Sequence, residues 1–113
     1  MTAHEILIAA KAELLTRGWY QGAFENPAAG GVCAIGALNC AVSGQADMFE
    51  WSDVAEDVQR AHVRAWQLLE SAIGCGSAGV HVWNDDPART PEEVLQAFDL
   101  ALALAETREA VTA

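Results

Sequence analysis

A chain of 113 residues has the length of one domain, and folding at this size takes roughly two thirds of the extended chain's surface out of water, enough for a core without staples. Six Lys and Arg against sixteen Asp and Glu leave a net charge of −10, which argues against direct nucleic-acid or anionic-membrane binding and favours a protein partner with a basic surface. The residues are 52% hydrophobic but only 7% aromatic, with alanine supplying much of the apolar count, so an all-α fold is expected: a compact four-helix single domain over 1–113 with long ordered loops.

The first helix is expected over 3–17. Thr2-Ala3-His4-Glu5 has the form in which a hydroxyl and a carboxylate satisfy each other's free backbone N–H groups. Ile6, Ala10 and Leu14 recur at spacing four, Leu7 and Leu15 widen the stripe, and Gly18 can take a left-handed cap. From Trp19 to Gly31 the breakers Gly22, Pro27, Gly30 and Gly31 exclude a regular element, while Trp19, Tyr20 and Phe24 need cover, so this segment reads as an ordered loop wrapped on the core. A second, central helix is expected over 32–42, where Ile35, Leu38 and Val42 share a side. Gly36 costs about 1 kcal/mol relative to alanine inside a helix, which implies a close neighbour at that point.

Polar punctuation follows over 43–52. A third helix is expected over 53–73, capped by Ser52 or Asp53 and carrying Val54, Val58, Ala61, His62, Ala65, Leu69 and Ala72 on one stripe. After Gly74 the chain reads as a connector with a short extended run from Val80 to Trp83. Thr90-Pro91-Glu92-Glu93 places a capping hydroxyl, a proline where the missing N–H is harmless and two acids at the positive end of a fourth helix over 91–108.

Three groups of residues could carry function. Cys33 lies near a helix start, where the dipole favours a thiolate, and "HVWND" could supply His81 as base with Asn84 or Asp85 as orienting group. The plainer reading is a small thiol packed in a wall of alanines. Zinc is disfavoured: Cys33 and Cys40 are two helical turns apart, which separates their sulfurs by roughly 10 Å, and Cys75 and His81 complete no ligand knuckle. His4 and His62 are read as surface or boundary residues. In "WNDDPART", Arg89 can reach back to Asp85 or Asp86, and Asn84 or Asp85 can satisfy free N–H groups at the start of the second helix. Finally, Asp47, Glu50, Asp53, Glu56 and Asp57 crowd around Met48, Phe49 and Trp51, an arrangement suited to holding a basic protein surface through aromatic anchors.

The segments "RGWYQGAF", "GVCAIGALNCA" and "VWNDDPARTPEEVLQAFDLALALA" together resemble an uncharacterised family of small actinobacterial and actinophage proteins, a domain of unknown function. The resemblance covers most of the chain and rests on its C-x-x-G-A-L and W-N-D-x-P-x-R-T-x-x-E-V patterns. The matching positions are Gly18, Trp19, Cys33, Gly36, Ala37, Leu38, Trp83, Asn84, Asp85, Pro87, Arg89, Thr90, Glu93 and Val94. His81, Cys40 and Cys75 lie outside the pattern. The resemblance implies an intracellular, phage-associated origin and supplies no activity.

The expectation is therefore a small acidic interaction protein of the cytoplasm, acting without catalysis, cofactor or metal, free of membrane contact and able to modulate a host or cellular protein through Met48, Phe49, Trp51, Asp53, Glu56 and Asp57. The alternative is a thiol-dependent enzyme using Cys33, His81 and Asn84 or Asp85. Self-association into a homodimer through the alanine-rich faces is a third outcome.

Overall fold

The structure, a computed structural model, describes residues 1–47, 49–75 and 79–112. The first helix, α1 (Ala3–Arg17), begins where the sequence places it. Glu5 N–H donates to the Thr2 hydroxyl at 3.1 Å and Thr2 N–H to the Glu5 carboxylate at 2.9 Å, so two orphan donors are satisfied at once. Ile6, Leu7, Ala10 and Leu14 are buried. Leu15 is not part of that stripe: it is 64% exposed and lies on the outer face with Ile8.

The loop after α1 is held by backbone pairing around Val32. Val32 N–H donates to Gly18 O at 2.9 Å, Tyr20 N–H to Val32 O at 3.0 Å and Cys33 N–H to Phe24 O at 3.1 Å, forming isolated bridges of Val32 with Trp19 and with Glu25. Among the described residues these bridges are the extent of β pairing. They consume backbone groups that a loop laid on a core cannot leave dry.

The second helix, α2 (Ala34–Ser43), starts two residues later than expected because Cys33 is its N-cap, extended at φ −79° and ψ 174°. Every residue from Ala34 to Cys40 is buried, which makes α2 the central helix. A Cβ on Gly36 would lie 2.1 Å from Phe24 O and 3.3 Å from the Ala46 methyl, so the absent side chain lets the loop cross the helix.

The third helix was expected from residue 53. Instead a 3-10 turn occupies Trp51–Asp53 and α3 runs Glu56–Ile73, with Ala55 as an N-cap that supplies no side-chain bond. Neither Ser52 nor Asp53 caps it. Gln59 reaches back to Trp51 O at 2.7 Å and Val54 O at 2.8 Å, pinning the turn that lays the Trp51 ring on His62 with centroids 4.7 Å apart. A helix continuous from residue 53 would carry that indole away.

The expected extended run at Val80–Trp83 is a fifth helix, α4 (Gly79–Asn84). Val80 and Asn84, one turn apart, are both buried, while Val82 is 61% exposed, so the alternating apolar pattern is decided by which helical face meets α2 and α3. The last helix, α5 (Pro91–Thr112), has its capping box at Thr90 and Glu93 and extends four residues past the expected limit. It runs antiparallel to α1, tied by the Lys11–Asp99 ion pair and the His4–Glu106 hydrogen bond, and its Val94, Phe98, Ala101 and Ala105 enter the common core. The molecule is all-α, with extents of 43 × 32 × 27 Å. Among the described residues, no helix is long and apolar enough to cross a membrane.

Candidate functional site

Asn84 joins the segments that the sequence patterns single out. Its Oδ1 accepts from Ala34 N–H at 3.0 Å, the contact expected at the free start of α2, and from the Trp19 indole at 2.7 Å. Its Nδ2 donates to Tyr20 O at 3.1 Å and to Asp85 Oδ1 at 3.0 Å. Gln21 donates to Asn84 O and Asp86 O, and Gly22 N–H to Asp85 Oδ1 at 2.9 Å. The loop, α2 and α4 are thus fastened at one fully paired amide, buried at 1% exposure.

Arg89 does not close the expected fork onto Asp85 or Asp86. Its guanidinium carbon stacks 4.2 Å above the Trp83 ring, Nε donates to Trp83 O at 3.0 Å, and one amino nitrogen pairs with Glu93 at 3.0 Å. Toward Asp86 the guanidinium makes only a long ion pair, Nη2 to Oδ2 at 3.9 Å, while the Arg89 backbone N–H donates to Asp86 O at 2.9 Å. Stacking and the carbonyl bond place the charge over the last turn of α4, where the helix dipole is negative.

Cys33, His81 and Asp85 line one cleft of about 240 Å³ together with Gly22, Ala23, Phe24 and Asp47. The thiol is only 3% exposed, and its sulfur accepts from Gly36 N–H at 3.3 Å. Burial pushes the Cys33 thiol above its ordinary value, against the smaller lowering effect of the backbone N–H groups. The His81 ring makes aromatic contacts and no side-chain hydrogen bond among the described residues. Cys40 is buried on α2 and its thiol too is raised by burial. No group of three or more His, Cys, Asp or Glu is placed to hold a metal among the described residues.

His62 corrects the reading of a surface or boundary residue. It is 4% exposed, its Nε2 lies 3.1 Å from Asn39 Oδ1, and Asn39 in turn donates to Ala46 O at 2.9 Å. Burial lowers the imidazole from 6.5 to about 4, so it is neutral in the folded protein at neutral pH and its Nε2 carries the donated proton. A polar residue in the alanine-rich α2 and another in the apolar stripe of α3 were the available signal for this pair.

Six rings then follow one another across the molecule. Phe49 and Trp51 meet edge to face at 4.8 Å, Trp51 meets His62 at 4.7 Å, His62 meets Trp66 at 6.0 Å, Trp66 meets His81 at 6.3 Å, and His81 meets Phe24 at 5.3 Å. The series runs from the acidic loop to the Cys33 cleft. At its outer end Trp51 is 39% exposed and Phe49 is half-buried; Asp47, Glu50, Asp53, Glu56 and Asp57, close by in sequence, are all exposed, and Glu50 and Asp53 line a hollow with Phe49. Met48, expected in the same patch, lies outside the described residues.

Residues 1–104 match a family described as "Family of unknown function (DUF6197)". The chain belongs to this family. No curated protein and no solved structure matches it. Trp19, Cys33, Asn84 and Arg89, positions on which the sequence resemblance rests, make the capping, hydrogen-bonding and stacking contacts described above, and Gly36 leaves the space that the loop crosses.

Proposed function

We propose that this DUF6197 chain is a non-catalytic interaction protein that holds a basic partner on the surface formed by the 44–53 loop and the start of α3. The observation that carries the reading is the edge-to-face Phe49–Trp51 pair, with the indole 39% exposed and with Phe49, Glu50 and Asp53 lining one surface hollow in a segment whose carboxylates are exposed. An amphipathic ring supplies contact area at small entropic cost, and the carboxylates steer and orient a cationic surface. The partner is a host or cellular protein, and modulation or inhibition of such a protein, by a phage-borne copy in the cytoplasm, is the role this surface and the family resemblance suit.

The thiol-enzyme alternative asks for an accessible thiolate, whereas Cys33 is a buried cap with its ionisation disfavoured. Two measurements separate the readings. Affinity capture from lysate with the wild type and with a Trp51→Ala, Asp53→Ala variant is expected to lose one specific band with the variant, while circular dichroism stays unchanged. Iodoacetamide at neutral pH is expected to modify Cys75, which is half-buried, well before Cys33. Fast alkylation of Cys33 together with an unchanged capture pattern would overturn the reading.

A further inference from the structure

The Cys33 cleft is left without a role by the interaction surface, yet its walls have a definite chemistry. The Phe24 and His81 rings stand at 64° with centroids 5.3 Å apart, and Asp85 supplies a carboxylate. Asp85 is fixed through Oδ1 by Gly22 N–H and Asn84 Nδ2, and its second oxygen makes no hydrogen bond among the described residues. A neighbouring hollow of about 550 Å³ shares His81 and Asp85 and adds Val82, Asp86 and Pro87, and among the described residues no Lys or Arg lines either space. Aromatic faces beside an anchored carboxylate attract a cation with an apolar stem, by ring quadrupole and charge together.

We infer that this cleft is a receptor for one organic cation, the ammonium or guanidinium head of a Lys or Arg side chain presented by the basic partner. The inference rests on the proposed function for the source of the cation, but the pocket chemistry stands on its own walls. Asp47 belongs to the same loop as Phe49 and Trp51, so a partner engaging the aromatic pair has the cleft along the same acidic border. The inserted head would lie beside the Phe24–His81 pair, whose edge-to-face contact at 5.3 Å leaves no room between the rings, with Asp85 as its counter-charge.

The test is a nuclear magnetic resonance titration of the full chain with Nα-acetyl-arginine amide, Nα-acetyl-lysine amide and the neutral Nα-acetyl-norleucine amide. Saturable shifts at the His81 ring and the Gly22 and Cys33 amides are expected with the two cations and not with norleucine. Asp85→Asn, which keeps the Oδ1 acceptor, is expected to weaken the cations about fivefold, in line with loss of one partly exposed ion pair. His81→Ala, at an exposed position, provides a second variant should Asp85→Asn disturb the loop. Equal shifts with norleucine, or no shift at the cleft, overturn the inference. A neutral peptide carrying a single Arg should bind more tightly than the free amide, and equal affinity would refute the protein-borne source. Trp51→Ala abolishing capture while the cationic probes leave His81 unmoved would sink this inference alone, whereas bound probes with capture insensitive to Trp51 would sink the proposed function alone.

Discussion

Gly36 shows how one missing side chain sets the fold of a neighbouring segment. The carbonyl its Cβ would strike belongs to Phe24 backbone, already fixed by the bond from Cys33 N–H, so relief requires moving the loop. Gly36→Ala is expected to lower stability by about 3 kcal/mol despite the better helix propensity of alanine, as read from the urea midpoint. His62 makes a second residue-scale case. Its imidazole titrates at about 4 when folded against 6.5 when free, so the unfolded chain binds the extra proton first as pH falls. The stability it contributes is complete above pH 6.5, declines between 6.5 and about 4, and is lost below that, a span of roughly 3 kcal/mol. A His62→Gln variant should flatten that part of the stability profile, and a parallel decline in both proteins would contradict the assignment.

At the scale of elements, α4 is a six-residue helix too short to persist by propensity, so its neighbours must hold it. Asn84 ties it to α2 and to the loop, and Arg89 covers its last turn. Asn84→Ala removes one acceptor shared by two donors and leaves the Trp19 indole and Ala34 N–H unpaired, a cost of about 3 kcal/mol expected in chemical denaturation. Arg89→Lys keeps the charge but gives up the flat stack on Trp83, and about 1 kcal/mol should be lost in the same assay. The start of α3 has the same lesson in reverse. Asp53 and Glu56 have capping spacing, yet the Gln59 bonds to the turn and the edge-to-face contact of Trp51 with His62 override it.

For the whole molecule, −10 of charge on a body 43 × 32 × 27 Å creates a field that reaches a partner before contact. Capture by the acidic surface should accordingly be fast at low salt and slow steeply as salt is added, with dissociation much less affected. Neutralising Asp53, Glu56 and Asp57 as amides is expected to lower the association rate roughly tenfold at low ionic strength, measured by surface plasmon resonance on the captured partner. An association rate indifferent to salt would contradict electrostatic steering.

The sequence by itself determined the all-α class, α1 with its Thr2–Glu5 box, the start of α5 at Pro91, the close approach at Gly36 and a bond from the start of α2 to Asn84 or Asp85, of which the structure selects Asn84. These follow from local capping chemistry, helical spacing and the size of one side chain, which act over a few residues or leave a single possible partner. Only the tertiary structure decided that Val80–Trp83 is helical, that Arg89 stacks on Trp83, that His62 pairs with Asn39 inside the core, and that six aromatic rings connect the acidic loop to the Cys33 cleft. Each of those depends on which faces meet across tens of residues, where packing and desolvation outweigh the local preferences a linear pattern records.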